Sequence, residues 1–185
     1  MNPVMEPSEN DPKTTAFNAV IRKIDPFVTE FFDRYVVIAK LKDDDKVRIY
    51  APYPIDLFTS FCMMKKSLDN MLAFLKTLRN GAALKGQDVY LKTNEIPYTL
   101  GPEKEKHDKL NDMIRPMLDD TLECYMIMSP MSMEAGNVEN VVLLGNGYFD
   151  VTADLMCEAM EMVNQQVEEA IKTDAMENVD QWKTL

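Results

Sequence analysis

Cysteine, histidine, tryptophan and glycine are scarce in this chain: three, one, one and six among 185 residues. Cys62, Cys124 and Cys157 are an odd set, spaced too widely for a C-x-x-C zinc or redox pair, and they read as reduced thiols buried in a core. His107 is the only histidine, which excludes a zinc site built from several histidines of one chain. The G-x-x-x-x-G spacing of Gly81 and Gly86 lacks the lysine and hydroxyl of a phosphate loop, and it follows a helix pattern rather than a strand. Gly81 instead reads as a left-handed helix stop after Asn80. No apolar run approaches the roughly 18 residues of a membrane span. Met1 to Pro12 holds no basic residue and no apolar run, so neither a secretory nor a transit signal is read and a cytoplasmic setting is expected.

Apolar residues make up 46% of the chain and charged residues 28%. A chain of this size buries about 70% of its unfolded surface, enough for a core without disulfides. The expected organisation is a disordered leader over 1–13, a single domain over 14–172 and a polar tail over 173–185. Charge is unevenly distributed. Residues 1–116 carry 17 acidic and 18 basic side chains, whereas 117–171 carry 11 acidic and no basic ones. The formal charge of −11 is thus concentrated in that second block. Methionine is abundant, 15 in all, with ten from Met113 onward.

Periodicity gives the elements. Phe17, Val20, Ile21 and Ile24 recur at helical spacing, and Phe27, Val28, Phe31 and Phe32 resume it after Asp25-Pro26, which predicts two helices or one kinked helix. Residues 35–41 and 46–53 form a hairpin whose turn uses Asp43, Asp44 and Asp45 as turn formers. A long helix spans 56–79, and strands are read at 87–92 and 96–100. A charged helix follows Gly101-Pro102, with its apolar stripe starting at Leu110 and a break expected at Pro116. His107, between Lys106 and Asp108, reads as a surface residue in a charge ladder.

Strands at 123–128 and 141–145 follow, the first placed at a sheet edge because of Pro130. The last helix, 152–172, is expected to be capped by Asp150 or Thr152. Strand, strand, helix therefore occurs twice. The fold class is α+β, an antiparallel sheet of about four to six strands covered by amphipathic helices on one face. Ile55-Asp56-Leu57 and Phe149-Asp150-Val151 sit at matching junctions, but three matched positions do not establish a duplication.

No G-x-S-x-G elbow or metal-ligand spacing is present, so no cofactor, metal or catalytic set is assigned and a non-enzymatic role is expected. Asp119, Asp120 and Glu123 read as a solvated helix end rather than a catalytic carboxylate pair. The first functional expectation is a protein-protein interaction module, an adaptor, regulator or inhibitor. Its acidic, methionine-rich C-terminal surface comprises Met131, Met133, Asp154, Glu158, Glu161 and Glu168, and its partner is another protein or a second copy. Met156, Met160, Val163 and Val167 either enter a partner's groove or pack in the core. The alternative is a single-stranded nucleic-acid binder. It would use Lys40, Lys42, Arg48, Tyr50 and Tyr53 of the hairpin with Lys65, Lys66, Lys76 and Arg79 behind it, the cations on phosphates and the rings on bases.

Overall fold

The computed structural model of the protein describes residues 11–51, 57–83, 103–130, 133–134, 137–138, 141–146 and 148–177. The elements run α1 (Pro12–Phe31), β1 (Val36–Leu41), β2 (Val47–Tyr50), α2 (Leu57–Ala83), α3 (Glu103–Asp119), β3 (Leu122–Pro130), β4 (Met133–Glu134), β5 (Asn137–Val138), β6 (Val141–Gly145) and α4 (Phe149–Glu177). The strands read at 87–92 and 96–100 lie outside the described residues, as do Tyr53 and Met131.

Among the described residues four strands form an antiparallel sheet in the order β2-β1-β3-β6, and β4 and β5 form a separate two-stranded ladder. Val36, Val37, Ile38 and Ala39 of β1 and Tyr125, Met126, Ile127 and Met128 of β3 are almost wholly buried. Such continuous apolar runs mark strands covered on both sides. The side chains divide by parity, because successive residues of a strand point to opposite faces. Val37, Ala39, Leu41, Tyr125, Ile127 and Leu144 pack with α1 and α3, whereas Val36, Ile38, Val47, Cys124, Met126, Met128 and Leu143 pack with α2 and α4. The molecule is therefore α+β with helices on both faces of the sheet, rather than the one face expected.

Several local expectations are corrected. Helix α1 begins at Pro12 behind an N-cap at Asp11, so residues 11–13 belong to the fold rather than to a leader. It also runs unbroken through Pro26. Proline removes one amide donor, but Pro26 and Arg22, whose carbonyl loses that donor, are exposed to water. The same holds for Pro116 in α3, with Asp112 exposed one turn before it. Helix α2 continues through Gly81, where open space surrounds the backbone and two good helix formers follow.

Pro130 lies in a central strand, not an edge strand. The β1–β3 ladder ends at Val36 opposite Met128, so Pro130 pairs only with Val141 of β6, and its missing amide costs the β1 ladder nothing. Helix α4 starts at Phe149, before either expected cap, and buried Thr152 instead donates its hydroxyl to the Tyr148 carbonyl at 3.0 Å. His107 is buried, 5% exposed, with its ring 5.3 Å from that of Phe32. It shares one helical stripe with Leu110, Ile114 and Leu118, and that stripe faces the core. Of the cysteines only Cys124 is buried; Cys62 is half-buried and Cys157 exposed.

Candidate functional site

The β1–β2 turn is held by its own carboxylates. Asp43 adopts a left-handed conformation, φ 60°, which aspartate tolerates better than most residues. Asp44 accepts from the Lys46 amide at 3.1 Å and pairs with Arg48 at 2.7 Å. The second guanidinium nitrogen of Arg48 reaches Asp11 at 3.3 Å. Asp11 in turn caps α1, accepting from the Lys13 amide at 3.1 Å and the Thr14 hydroxyl at 2.9 Å. Arg48 thus ties the start of α1 to the hairpin. The Thr14 and Lys13 hydrogen bonds, followed by Arg48, hold the Asp11 carboxyl below its ordinary value, and the Lys46 amide and then Arg48 do the same for Asp44.

On the other face of the sheet, Lys40 meets Glu158 of α4 at 2.7 Å. This hydrogen bond raises the Lys40 pKa against the opposing effect of burial. The contact joins one residue of the expected basic surface to one of the expected acidic surface. Lys42 is also engaged, donating to the carbonyls of Asp119 and Asp120 at 2.6 and 3.3 Å, where a cation suits the C-terminus of α3. Lys65 pairs with Asp69 at 2.9 Å on the exposed face of α2. Tyr50 packs against the α1–α3 core with its ring 6.3 Å from Tyr35. Lys66 is half-buried and Lys76 exposed, both on α2, which also carries Arg79. Lys40, Arg48 and Lys42 of the hairpin thus serve ion pairs and a helix terminus within the fold.

The acidic candidates occupy different positions. Asp154, Glu161 and Glu168 are exposed on α4, and Glu168 accepts from Asn164 at 3.0 Å. Met133 lies in β4. Met156 and Val163 are core residues, 0% and 2% exposed, and Met160 is partly buried against them. At 100° per residue, Asp150, Asp154, Glu161 and Glu168 fall within an arc of about 40° on the outside of the helix. Asp119 pairs with Arg115 at 3.1 Å and accepts weakly from Asn146 at 3.4 Å, so it is committed to the end of α3.

Beside this stripe lies a cleft of about 640 Å³. Asp11 and Thr14 of α1 form one wall, and Glu158, Glu161, Met162 and Gln165 of α4 form the other. Asp45, Lys46, Val47 and Arg48, at and before the start of β2, lie between them. Since α1 and α4 cover opposite faces of the sheet, the cleft runs across the outer edge of β2. Sequence reasoning missed it because its parts are more than 100 residues apart, and no local pattern brings Asp11 and Val47 to Met162. Among the described residues, no group of three or more histidines, cysteines, aspartates or glutamates is placed to hold a metal ion, and no helix is long and apolar enough to cross a membrane. In comparisons with known proteins, no protein family, curated protein or solved structure matches this chain.

Proposed function

We propose that the protein is a non-enzymatic interaction module that engages a basic surface of another protein through the outer face of α4. The observation carrying this reading is the alignment of Asp150, Asp154, Glu161 and Glu168 on one exposed stripe. Asp150, Asp154 and Glu161 have no ion-pair partner among the described residues, and no lysine or arginine occurs anywhere in 117–171. Carboxylates left uncompensated along one helix face steer a basic partner and fix its orientation more than they add affinity. The methionine core beneath the helix supports the surface without contributing to contact.

The test is fluorescence anisotropy of a labelled oligolysine peptide and, separately, a labelled single-stranded oligonucleotide, at low and moderate salt. The expected result is salt-sensitive binding of the peptide alone. Combined reversal of Asp154, Glu161 and Glu168 to lysine abolishes it, whereas reversal of the exposed acids Glu30, Asp33 and Asp112 elsewhere on the molecule leaves it largely intact. Equal losses in the two triple variants would reduce the effect to net charge and overturn the reading. Tight oligonucleotide binding would replace it with the nucleic-acid reading.

A further inference from the structure

We infer that the cleft beside β2 is a strand acceptor, in which an extended, basic segment of a protein partner pairs with the outer edge of β2 and turns lysine or arginine side chains toward α4. This names the partner of the α4 surface and rests on the reading of that surface as a contact face. Among the described residues β2 is a terminal strand, paired with β1 on one side only. In an antiparallel pair, alternate residues point their amide and carbonyl groups away from the partner strand. Of the two β2 residues that line the cleft, Val47 and Arg48, one therefore turns its amide and carbonyl toward it. Such an edge is a template for an added strand.

The walls match the geometry of an added strand. Its side chains would point alternately to the two helical layers. Those turned to one side meet Glu158, Glu161, Met162 and Gln165, and those turned to the other meet Asp11 and Thr14. Val47 and Met162 give apolar contact for the stem of a long cationic side chain, while Glu161 and Asp45 have no ion-pair partner among the described residues. Arg48 does not neutralise these carboxylates, because its guanidinium is held by Asp44 and Asp11. With Asp11 held by Arg48 and Glu158 by Lys40, the lining leaves Asp45 and Glu161 against Lys46. A second copy is the poorer occupant, since pairing two β2 edges would bring two acidic α4 walls face to face.

The experiment uses the full chain and three synthetic probes: a capped peptide alternating lysine and valine, the same peptide methylated on every backbone nitrogen, and one with glutamate for lysine. Binding is read by anisotropy, and amide hydrogen exchange is read residue by residue across β2. The alternating basic peptide is expected to bind and to slow exchange in β2. The methylated peptide keeps the charge but cannot complete the ladder, and is expected to bind weaker by about tenfold or more. The acidic peptide is expected not to bind. Glu161→Lys is expected to weaken the basic peptide several-fold, whereas Glu30→Lys is expected to leave it unchanged.

Equal affinity for the methylated and unmethylated peptides would overturn strand addition while leaving the α4 contact reading in place. Failure of both the alternating peptide and oligolysine would overturn both readings. Protection of β2 without peptide, rising with protein concentration as the mass doubles, would assign the edge to a second copy and also overturn the inference.

Discussion

The two faces of the sheet are packed with different materials. Toward α1 and α3 the buried residues are isoleucine, valine, leucine, phenylalanine, tyrosine and one alanine, and among the described residues methionine contributes only the partly buried Met113 and Met117. Toward α2 and α4, Met63, Met64, Met71, Met126, Met128 and Met156 are all fully buried, and among the described side chains the aromatic ones there, Phe61 and Phe74, are only partly so. Branched and aromatic side chains have few rotamers and fix a packing arrangement, whereas the unbranched thioether of methionine fills irregular gaps and adjusts. The rigid layer holds α1, which Asp11 and Arg48 fasten to the hairpin. The adaptable layer lies under α4, the helix carrying the uncompensated acids. The lesson is that one sheet can present a fixed support on one side and a yielding one on the other.

The sharpest way to break this contrast is to open equal holes on the two sides. Large-to-small core substitutions cost about 2 to 5 kcal/mol, depending on how far the surroundings close over the space. Ile24→Ala, at a fully buried position toward α3, is expected near the upper end of that range. Met71→Ala, equally buried toward α4, is expected near the lower end because its methionine neighbours can shift. Urea denaturation measures both, and equal losses would remove the distinction. A smaller effect is expected from Met126→Leu, which conserves volume and should cost under about 1.5 kcal/mol by the same measurement.

On the rigid side, acid titration reads Asp11 and Asp44. Asp11 and Asp44 are held below 3.8, the ordinary value, mainly by hydrogen bonds they accept. The unfolded chain therefore binds more protons than the native one in that region, and their contribution is complete above about pH 3.8 and lost as pH falls through the lowered native values. The urea midpoint of the wild type should drop below that pH, and Asp11→Asn combined with Asp44→Asn should flatten the drop. An unchanged slope in the double variant would place the acid sensitivity elsewhere. The smallest effect belongs to the exposed pair on α2. Asp69→Asn should cost no more than about 0.5 kcal/mol in thermal unfolding, and that loss should vanish in high salt.

Much of the architecture was legible in the chain. The hairpin followed from its β-branched runs and aspartate turn, α2 from its long three-four spacing, and the α+β class from the succession of elements. What the chain concealed was mostly non-local. Nothing near Val36 indicates that its neighbour across the sheet is Met128, and without that pairing Pro130 looks like an edge residue. The helix interruptions failed for a local reason, since Pro26, Pro116 and Gly81 all face water, where a lost donor or a missing side chain is tolerated. His107 was readable but misread: extending the stripe of Leu110, Ile114 and Leu118 back by one turn reaches it, although its immediate neighbours are charged. The acidic stripe on α4 could be read from spacing alone, whereas the cleft required the fold, because Asp11, Val47 and Met162 meet only in three dimensions.

The position of β1 also bears on how the protein is made. Its hairpin partner β2 follows within a few residues, but β3, its neighbour on the other side, lies about 90 residues further along the chain. At roughly 5 to 20 residues per second, a ribosome leaves one edge of Val36–Leu41 without its final neighbour for several seconds or more. Apart from Lys40 that strand is apolar on both faces, so its open edge favours aggregation in this interval. A chaperone that shields extended apolar segments would act with greatest effect between the synthesis of α2 and that of β3.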